Sequence, residues 1–435
     1  MLDEPVSADQ EITALAQTLA AQGRHPMLVF NHVGDLGVQV VTNIFASRER
    51  VARILGTDMP GLHAQYQRRS RQRTAPRPVQ HGPVLDLVQR GDQVDLRQLP
   101  MLRHFKSDRG PYITNAILIA EHPDTGVGNM SYHRSMVHSP TEIATSLHSR
   151  GDLWRLTQLA KERGQVLPVA MVIGAHPLIM LAASARLPFD ADEREVAGGL
   201  LGQAMEVVTT PCHGLQVPAW AELVLEGVID PNGFAEEGPF GEFTGYSSDR
   251  STNNLFRVDA VLRRRDAILV DVLGGNSAEH LNLARIPRES EMAEKLRERF
   301  ASVTALHYPT SGTHFHAYVA LKQTRAGEAR QVMLGLLGWD PYLKTVIAVD
   351  PDVDVTQDSQ VLWALATHFQ PHRDLLVVEG LPGSALDPSA SGEGTTSRMG
   401  LDATRGPDFK AVRAELSSEA LTRAAAILAG LPCGS

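Results

Sequence analysis

From about residue 111 the chain begins to read as strand, and that change limits its fold more than any other feature. "YITNAILIAEH" and "GNMSYHRSMVH" flank "PDTGVG", whose proline and glycines suit a turn, so the pair reads as a hairpin. "VDAVLRRRDAILVDVLGG" reads as a second hairpin, with alternation on each side of a charged turn. "PVAMVIGAHPLIMLAASA" reads as a buried strand leading into an apolar stretch. The middle of the chain is therefore expected to be a strand-rich domain with helical insertions.

The flanks read as mixed α/β. Residues 10–22, "QEITALAQTLAAQ", place Ile12, Leu15, Ala16 and Leu19 on one helical face. "HPMLVFNHV" reads as a strand and "VVTNIFASRERVARILG" as a second helix ending at Gly56. Residues 75–110 are proline-dotted and read as a boundary. "HFHAYVALKQ" at 314–323 opens a last α/β region, "KTVIAVDPDVDV" is a buried strand before an acidic turn, and "EALTRAAAILAGL" is an amphipathic helix. "PGSALDPSASGEGTTS", residues 382–397, reads as a surface loop. The expected division is 1–110, 111–310 and 311–435.

Bulk properties exclude several classes. The 435 residues are 43% hydrophobic, enough for a multidomain globular protein. A net charge of −9 argues against a nucleic-acid binder, which would carry a basic field. The one basic run, "RRSRQRTAPRP" at 68–78, reads as a solvated, proline-broken connector. Cys212 and Cys433 are distant and imply no disulfide framework, so a reducing cytoplasm is the expected setting. The start "MLDEPVSADQ" lacks the features of a signal peptide, and no apolar run is long enough to span a membrane.

Three stretches can carry chemistry. In "AEEGPFGEFTGYSS", residues 235–248, Glu237 and Glu242 lie at the two ends of a stiff Gly-Pro-Phe-Gly turn. Such a turn can aim both carboxylates into one cavity, where one of them can act as a general acid; two solvated surface glutamates are the alternative. In "GNMSYHRSMVH", Asn129 and Arg134 lie in a segment of strand character with His133 and His138 nearby. An inward arginine there needs an anion, either a ligand carboxylate or a protein one, whereas an edge arginine pairs with a surface acid. In "PFDADEREVAGGLLGQAMEVV" the acids at 190, 192, 193 and 195 can bind a hard cation or serve a helix N-terminus. "HFH" at 314–316 lacks a third metal partner and reads as a structural pair.

Taken in order, these stretches resemble the UbiD family of reversible decarboxylases, which use prenylated flavin mononucleotide. The resemblance runs from about residue 25 to 410 and includes E-G-P-F-G-E at 237–242 and the five-residue step from Asn129 to Arg134. "AGGLLGQAMEVV", "VPAWAELVLEG", "AEHLNLARIPRES", "VIAVDPDVDV", "VLWALATHFQP" and "RMGLDAT" agree as well. The resemblance implies an α/β (α+β) fold, with a central split β-barrel carrying the flavin between N-terminal and C-terminal α/β domains. It implies a catalytic network of Arg134, Glu237 and Glu242, in which Arg134 pairs with Glu237 and meets the substrate carboxylate while Glu242 delivers the proton. Ser131, Tyr132, His133, Arg134, Ala183, Ser184, Ala185 and Glu193 would contact the cofactor. A divalent metal, manganese or magnesium, would bridge to the flavin phosphate, with potassium nearby. Leu283 would face the substrate, where some relatives place a polar side chain.

The implied reaction is decarboxylation, without net redox change, of an aromatic, heteroaromatic or α,β-unsaturated acid. Alternatives are a carboxylase-direction role and a flavin-binding or storage subunit without turnover. The implied partners are the acid, carbon dioxide, a flavin prenyltransferase as cofactor supplier, and a second copy in a homodimer or assembly of dimers. One position departs from the family. Asn129 and Glu193 match two metal ligands, but the family's histidine falls on Asp152, in "RGDLW". Asp152 can ligate a hard metal. Alternatively, it caps a helix and His148 or water takes its place.

Overall fold

The computed structural model describes residues 1–34, 37–147, 151–390 and 394–429. Among them, nine strands form a central sheet. Its order is Tyr112–Ile113, Ser135–Val137, Glu142–Thr145, Ser251–Arg263, Leu223–Glu237, Leu167–Ile173, Ile117–Glu121 and Gly128–Tyr132, with Leu87–Arg90 pairing against Ser251–Arg263. The sheet curls as a split β-barrel, as expected.

Both faces of this sheet are covered. Ile117, Ile119, Ala170, Val172, Val224 and Leu262 point into one core with the helices Arg48–Ile54, Leu62–Arg71, Pro177–Ala182 and Glu193–Leu201. Their neighbours Leu118, Ala120, Val169, Met171, Ile173 and Leu225 point into a second core with Glu11–Ala21 and Asp152–Glu162. Because successive side chains alternate, a strand covered on both faces must be apolar throughout, which explains the run "PVAMVI". Gly198 and Gly199 lie on the helix Glu193–Leu201, where a Cβ would collide with Thr74 O and Arg69 O; the glycines let that helix press on the preceding segment.

The C-terminal sheet runs Val303–His307, His316–Leu321, Thr345–Val349, Thr395–Ala403 and Leu375–Pro382. Its parallel pairs require crossovers, made by the helices Glu328–Trp339 and Asp358–His368. The helix Ala278–Arg299 joins the two units. It starts where Ser277 Oγ accepts the His280 N–H at 3.1 Å. Leu283 and Ile286 pack into the first central core, and Met292 and Leu296 into the C-terminal one.

Several expectations change. The run 40–56 is not one helix: Val40–Thr42 is a strand pairing with Leu28–Phe30, and the helix starts at Arg48 behind a Ser47 cap. β-branched Val40, Val41 and Thr42 favour the strand. The hairpin expected over 258–275 does not form. Ser251–Arg263 pairs with Leu223–Glu237, and Leu269–Val270 pairs in parallel with Val40–Val41. Arg68 to Arg71 belong to a helix, and Arg69 donates to Leu200 O at 2.9 Å, so the basic run is only partly a connector. Leu15 is exposed and Thr13 buried on the first helix. The hairpin Ile117–Glu121 with Gly128–Tyr132 forms as expected. Cys212 is free, and Cys433 and His148 lie outside the described residues.

Candidate active site

Glu237 is the last residue of the strand Leu223–Glu237, opposite Ser251. At Gly238 the backbone has φ +83°, and a Cβ there would stand 2.6 Å from Asp249 O, so the turn requires glycine. The chain then folds over itself. Glu242 N–H donates to Tyr246 O at 2.9 Å, and Gly241 bridges to Ser247. This returns Glu242 beside Glu237, with Arg134 between them from the end of the strand Gly128–Tyr132.

Arg134 Nη2 donates to Glu237 Oε2 at 2.9 Å, and Nη1 makes a direct ion pair with Glu242 Oε1. Its guanidinium also lies 5.5 Å from the Phe240 ring. Burial alone would lower the Arg134 pKa; Glu242 and Glu237 outweigh it and hold the side chain cationic. The two carboxylates differ in surroundings. Glu237 is fully buried and accepts from Tyr112 Oη at 2.7 Å, Asn253 Nδ2 at 2.6 Å and Ser251 Oγ at 3.2 Å as well as from Arg134. Among side chains, Glu242 has Arg134 as its hydrogen-bond donor, and burial raises its pKa despite that partner. One acid of the pair is thus saturated with donors, while the other is suited to hold a proton.

Tyr112, Ser251 and Asn253 escaped the sequence reading. Ser251 and Asn253 face Glu237 because of the register Glu237↔Ser251 and Ala235↔Asn253, which becomes legible only once the true strand partner is known.

The segments expected to hold the flavin come together. Tyr132 Oη donates to Met180 O at 3.0 Å, and Tyr132, Ala183, Ala185 and Leu283 adjoin one core cluster. Ser184 follows the helix Pro177–Ala182. His133 Nδ1 lies 2.8 Å from Ser146 O and its Nε2 3.0 Å from Ser131 Oγ, which also donates to Asn129 Oδ1 at 3.0 Å.

Glu193 opens its helix behind the Asp192 cap and is 3% exposed. It accepts from Met130 N–H at 2.9 Å and from Asn129 Nδ2 at 3.4 Å. Burial pushes its carboxyl up to about 7, and the charges of Asp192 and Asp152 add to that. Asp152 is the first residue of the helix Asp152–Glu162; Gly151 holds the cap position and no side chain caps it. Its own pKa is raised by burial, with Arg155 3.8 Å away as a partial counter-charge. A buried carboxylate, a half-buried one and an amide are of the oxygen-donor type that suits a hard divalent cation. Among the described residues no group of three or more His, Cys, Asp or Glu is assembled for a metal.

Comparison with known proteins identifies the family of the chain. Residues 2–69, 77–277 and 281–403 match the N-terminal, Rift-related and C-terminal domains of the UbiD 3-octaprenyl-4-hydroxybenzoate carboxy-lyase models. The chain is 31% identical over 405 residues to anhydromevalonate phosphate decarboxylase of Methanothermobacter thermautotrophicus, covering 92% of this chain and 94% of that one. The chain belongs to the UbiD family. Among solved structures, the UbiD-class enzyme HmfF from Pelotomaculum thermopropionicum in complex with FMN is 32% identical, with a TM-score of 0.91 over 97% of this chain and 94% of that one. An evolved dimeric form of HmfF in complex with prFMN is 31% identical, with a TM-score of 0.87 over 95% and 93%. The UbiD relatives are named as decarboxylases, and this chain is a member of a carboxy-lyase family.

Proposed function

We propose that the protein decarboxylates an unsaturated or aromatic carboxylic acid, reversibly and without net redox change, using prenylated FMN. The observation that carries this reading is Arg134 bridging a donor-saturated Glu237 and a Glu242 whose carboxyl burial holds above its ordinary range. When bound, the prenylated flavin supplies the electron sink for the carbon centre that loses carbon dioxide. Arg134 engages the substrate carboxylate with its planar fork, and Glu237 anchors that arginine. Protonated Glu242 donates to the carbon centre, and in the carboxylation direction the same group works as the base. In this reading, Asn129, Asp152 and Glu193 would hold a manganese or magnesium ion that neutralises the charge of the flavin phosphate, and a potassium ion would assist. Ser131 to Arg134 and Ala183 to Ala185 line the flavin, and Leu283 borders the substrate.

The relatives' names support a non-aromatic acid as well as an aromatic one. A homodimer is supported by the dimeric HmfF form and by exposed apolar side chains at Val377, Met399, Leu362, Leu421 and Ile427. Among the described residues no helix is long and apolar enough to cross a membrane, and a cytoplasmic setting, where the prenyltransferase can load the cofactor, suits the reading.

The test is to purify the protein from hosts with and without a flavin prenyltransferase, record the flavin absorbance, and assay carbon dioxide release from a panel of acids. Turnover only in the prenyltransferase-supplied preparation is expected. Equal turnover without the prenyltransferase refutes the cofactor assignment, and flavin loading without turnover of any acid favours a storage subunit.

A further inference from the structure

The proposed chemistry needs two like acids to behave differently. Glu237 must stay a carboxylate under Arg134, and Glu242 must hold the proton. Tyr112 is placed to impose that difference. It lies on the short strand Tyr112–Ile113, whose sheet partner Ser135–Val137 directly follows Arg134. On its other side the Tyr112 N–H donates to Leu102 O at 2.8 Å, so its backbone is fixed from both edges. Of the side chains that donate to Glu237, it is the one that is itself fully buried, so its loss is the least easily made good by water.

The hydroxyl has a single hydrogen, and its neighbours decide where it points. Gly238 N–H donates to Tyr112 Oη at 3.1 Å and occupies a lone pair, and the hydroxyl in turn donates to Glu237 Oε1 at 2.7 Å. Pro239 O, at 3.4 Å, is the poorer acceptor, being farther away and uncharged. Burial and the Glu237 charge push the phenol well above its ordinary range, so it remains a donor. The ring has its own contact: it packs 4.5 Å from Phe240, whose ring lies 5.5 Å from the Arg134 guanidinium. Other charges near this turn are engaged elsewhere. Glu236, exposed on the opposite face of the strand, is held by Arg109 at 2.5 Å, with Arg250 and His138 near it, and Asp108 accepts from Gly241 N–H at 2.9 Å.

We propose that Tyr112 is a positioning residue for the proton of the network: its hydroxyl favours the carboxylate form of Glu237 and so leaves the proton shared by the two acids on Glu242. The proposal rests on the decarboxylase function above and extends it to the residue that assigns the two glutamates their roles. A hydrogen bond to the charged form of an acid favours that form. Without the hydroxyl, Glu237 competes for the proton, and each proton it takes weakens its hold on Arg134.

The test is Tyr112→Phe in flavin-loaded protein, which removes the hydroxyl and keeps the ring on Phe240. The acid limb of the pH profile of kcat/KM should move up by about one pH unit, the scale of one hydrogen bond to a charged group. Thermal melting separates this from damage to the core. A merely structural tyrosine would lower the melting temperature and scale the rate down by one factor at every pH. Replacing Tyr112 with 3-fluorotyrosine, a stronger donor of nearly the same shape, should move the limb the other way, and this replacement decides if Tyr112→Phe does not fold. Infrared spectra locate the proton without turnover. In the parent background Glu242→Gln should remove a carboxylic C=O band that Glu237→Gln leaves in place. In the Tyr112→Phe background Glu237→Gln should remove part of that band as well. An unmoved acid limb, or the same infrared pattern in both backgrounds, overturns the role of Tyr112. A parent protein that loads flavin but releases carbon dioxide from no acid refutes the decarboxylase reading, and the infrared pattern then decides on Tyr112 by itself.

Discussion

Glu242→Gln separates the two acids of the network. The side chain keeps its shape and can still accept from Arg134, which retains Glu237 at 2.9 Å, so the cavity and the flavin site should survive. The amide has no proton to give. Loss of a general acid costs about 10²-fold or more in turnover, close to 2.7 kcal/mol of barrier. Stability should move differently. Burial holds the Glu242 pKa above the ordinary range of a glutamate, so the folded protein keeps this proton to higher pH than the unfolded chain. Between those two pKa values folding takes up a proton, and the stability contributed by this group falls as pH rises through the folded value. Glutamine is free of that loss, so the melting temperature of the variant relative to the parent should increase as pH is raised across this window. The assay is single-acid turnover at matched flavin content, with melting curves at several pH values. Turnover within roughly threefold of the parent would refute Glu242 as the proton donor.

Arg134→Lys keeps the charge but loses the fork that reaches Glu237 and Glu242 together; activity should be lost while circular dichroism stays that of the parent, and a fully active lysine variant would make the arginine merely structural. Asp152→Ala should lower metal and flavin content together, and Asp152→His should recover both; full occupancy in the alanine variant, read by metal analysis and absorbance, removes Asp152 from the ligand set. Glu279 accepts from Asn43 N–H at 2.8 Å, Leu273 N–H at 3.0 Å and Thr42 Oγ1 at 3.0 Å, tying the N-terminal unit to the long helix. Glu279→Ala strands these buried donors and should destabilise the fold by about 3 kcal/mol or more, seen as a lower melting temperature, whereas an unchanged melting curve would mean that water replaces the carboxylate.

The sequence by itself determined what short-range physics controls. Apolar period and turn residues located the helix Glu11–Ala21, the hairpin Ile117–Tyr132 and the buried strand Leu167–Ile173. The glycine-proline turn marks the two acids and the strand character around Arg134 marks the arginine; the step from Asn129 to Arg134 gains meaning only from the family resemblance. Alternation along a strand states which face is buried but not which strand lies beside it. For that reason residues 258–275 read as a hairpin although Ser251–Arg263 pairs with Leu223–Glu237, and Val40–Thr42 reads as the start of a helix although it is a strand. The same blindness hid the residues that distinguish the two glutamates. Tyr112 lies 125 positions from Glu237 and meets it only because distant strands share one sheet. Arg285 looks like an ordinary helix surface residue in sequence, and only the packing of the long helix between two cores leaves its charge buried and unmatched. Local patterns reveal which groups are present; long-range packing sets how each is desolvated and paired, and desolvation and pairing are what give a carboxylate or a guanidinium its chemistry.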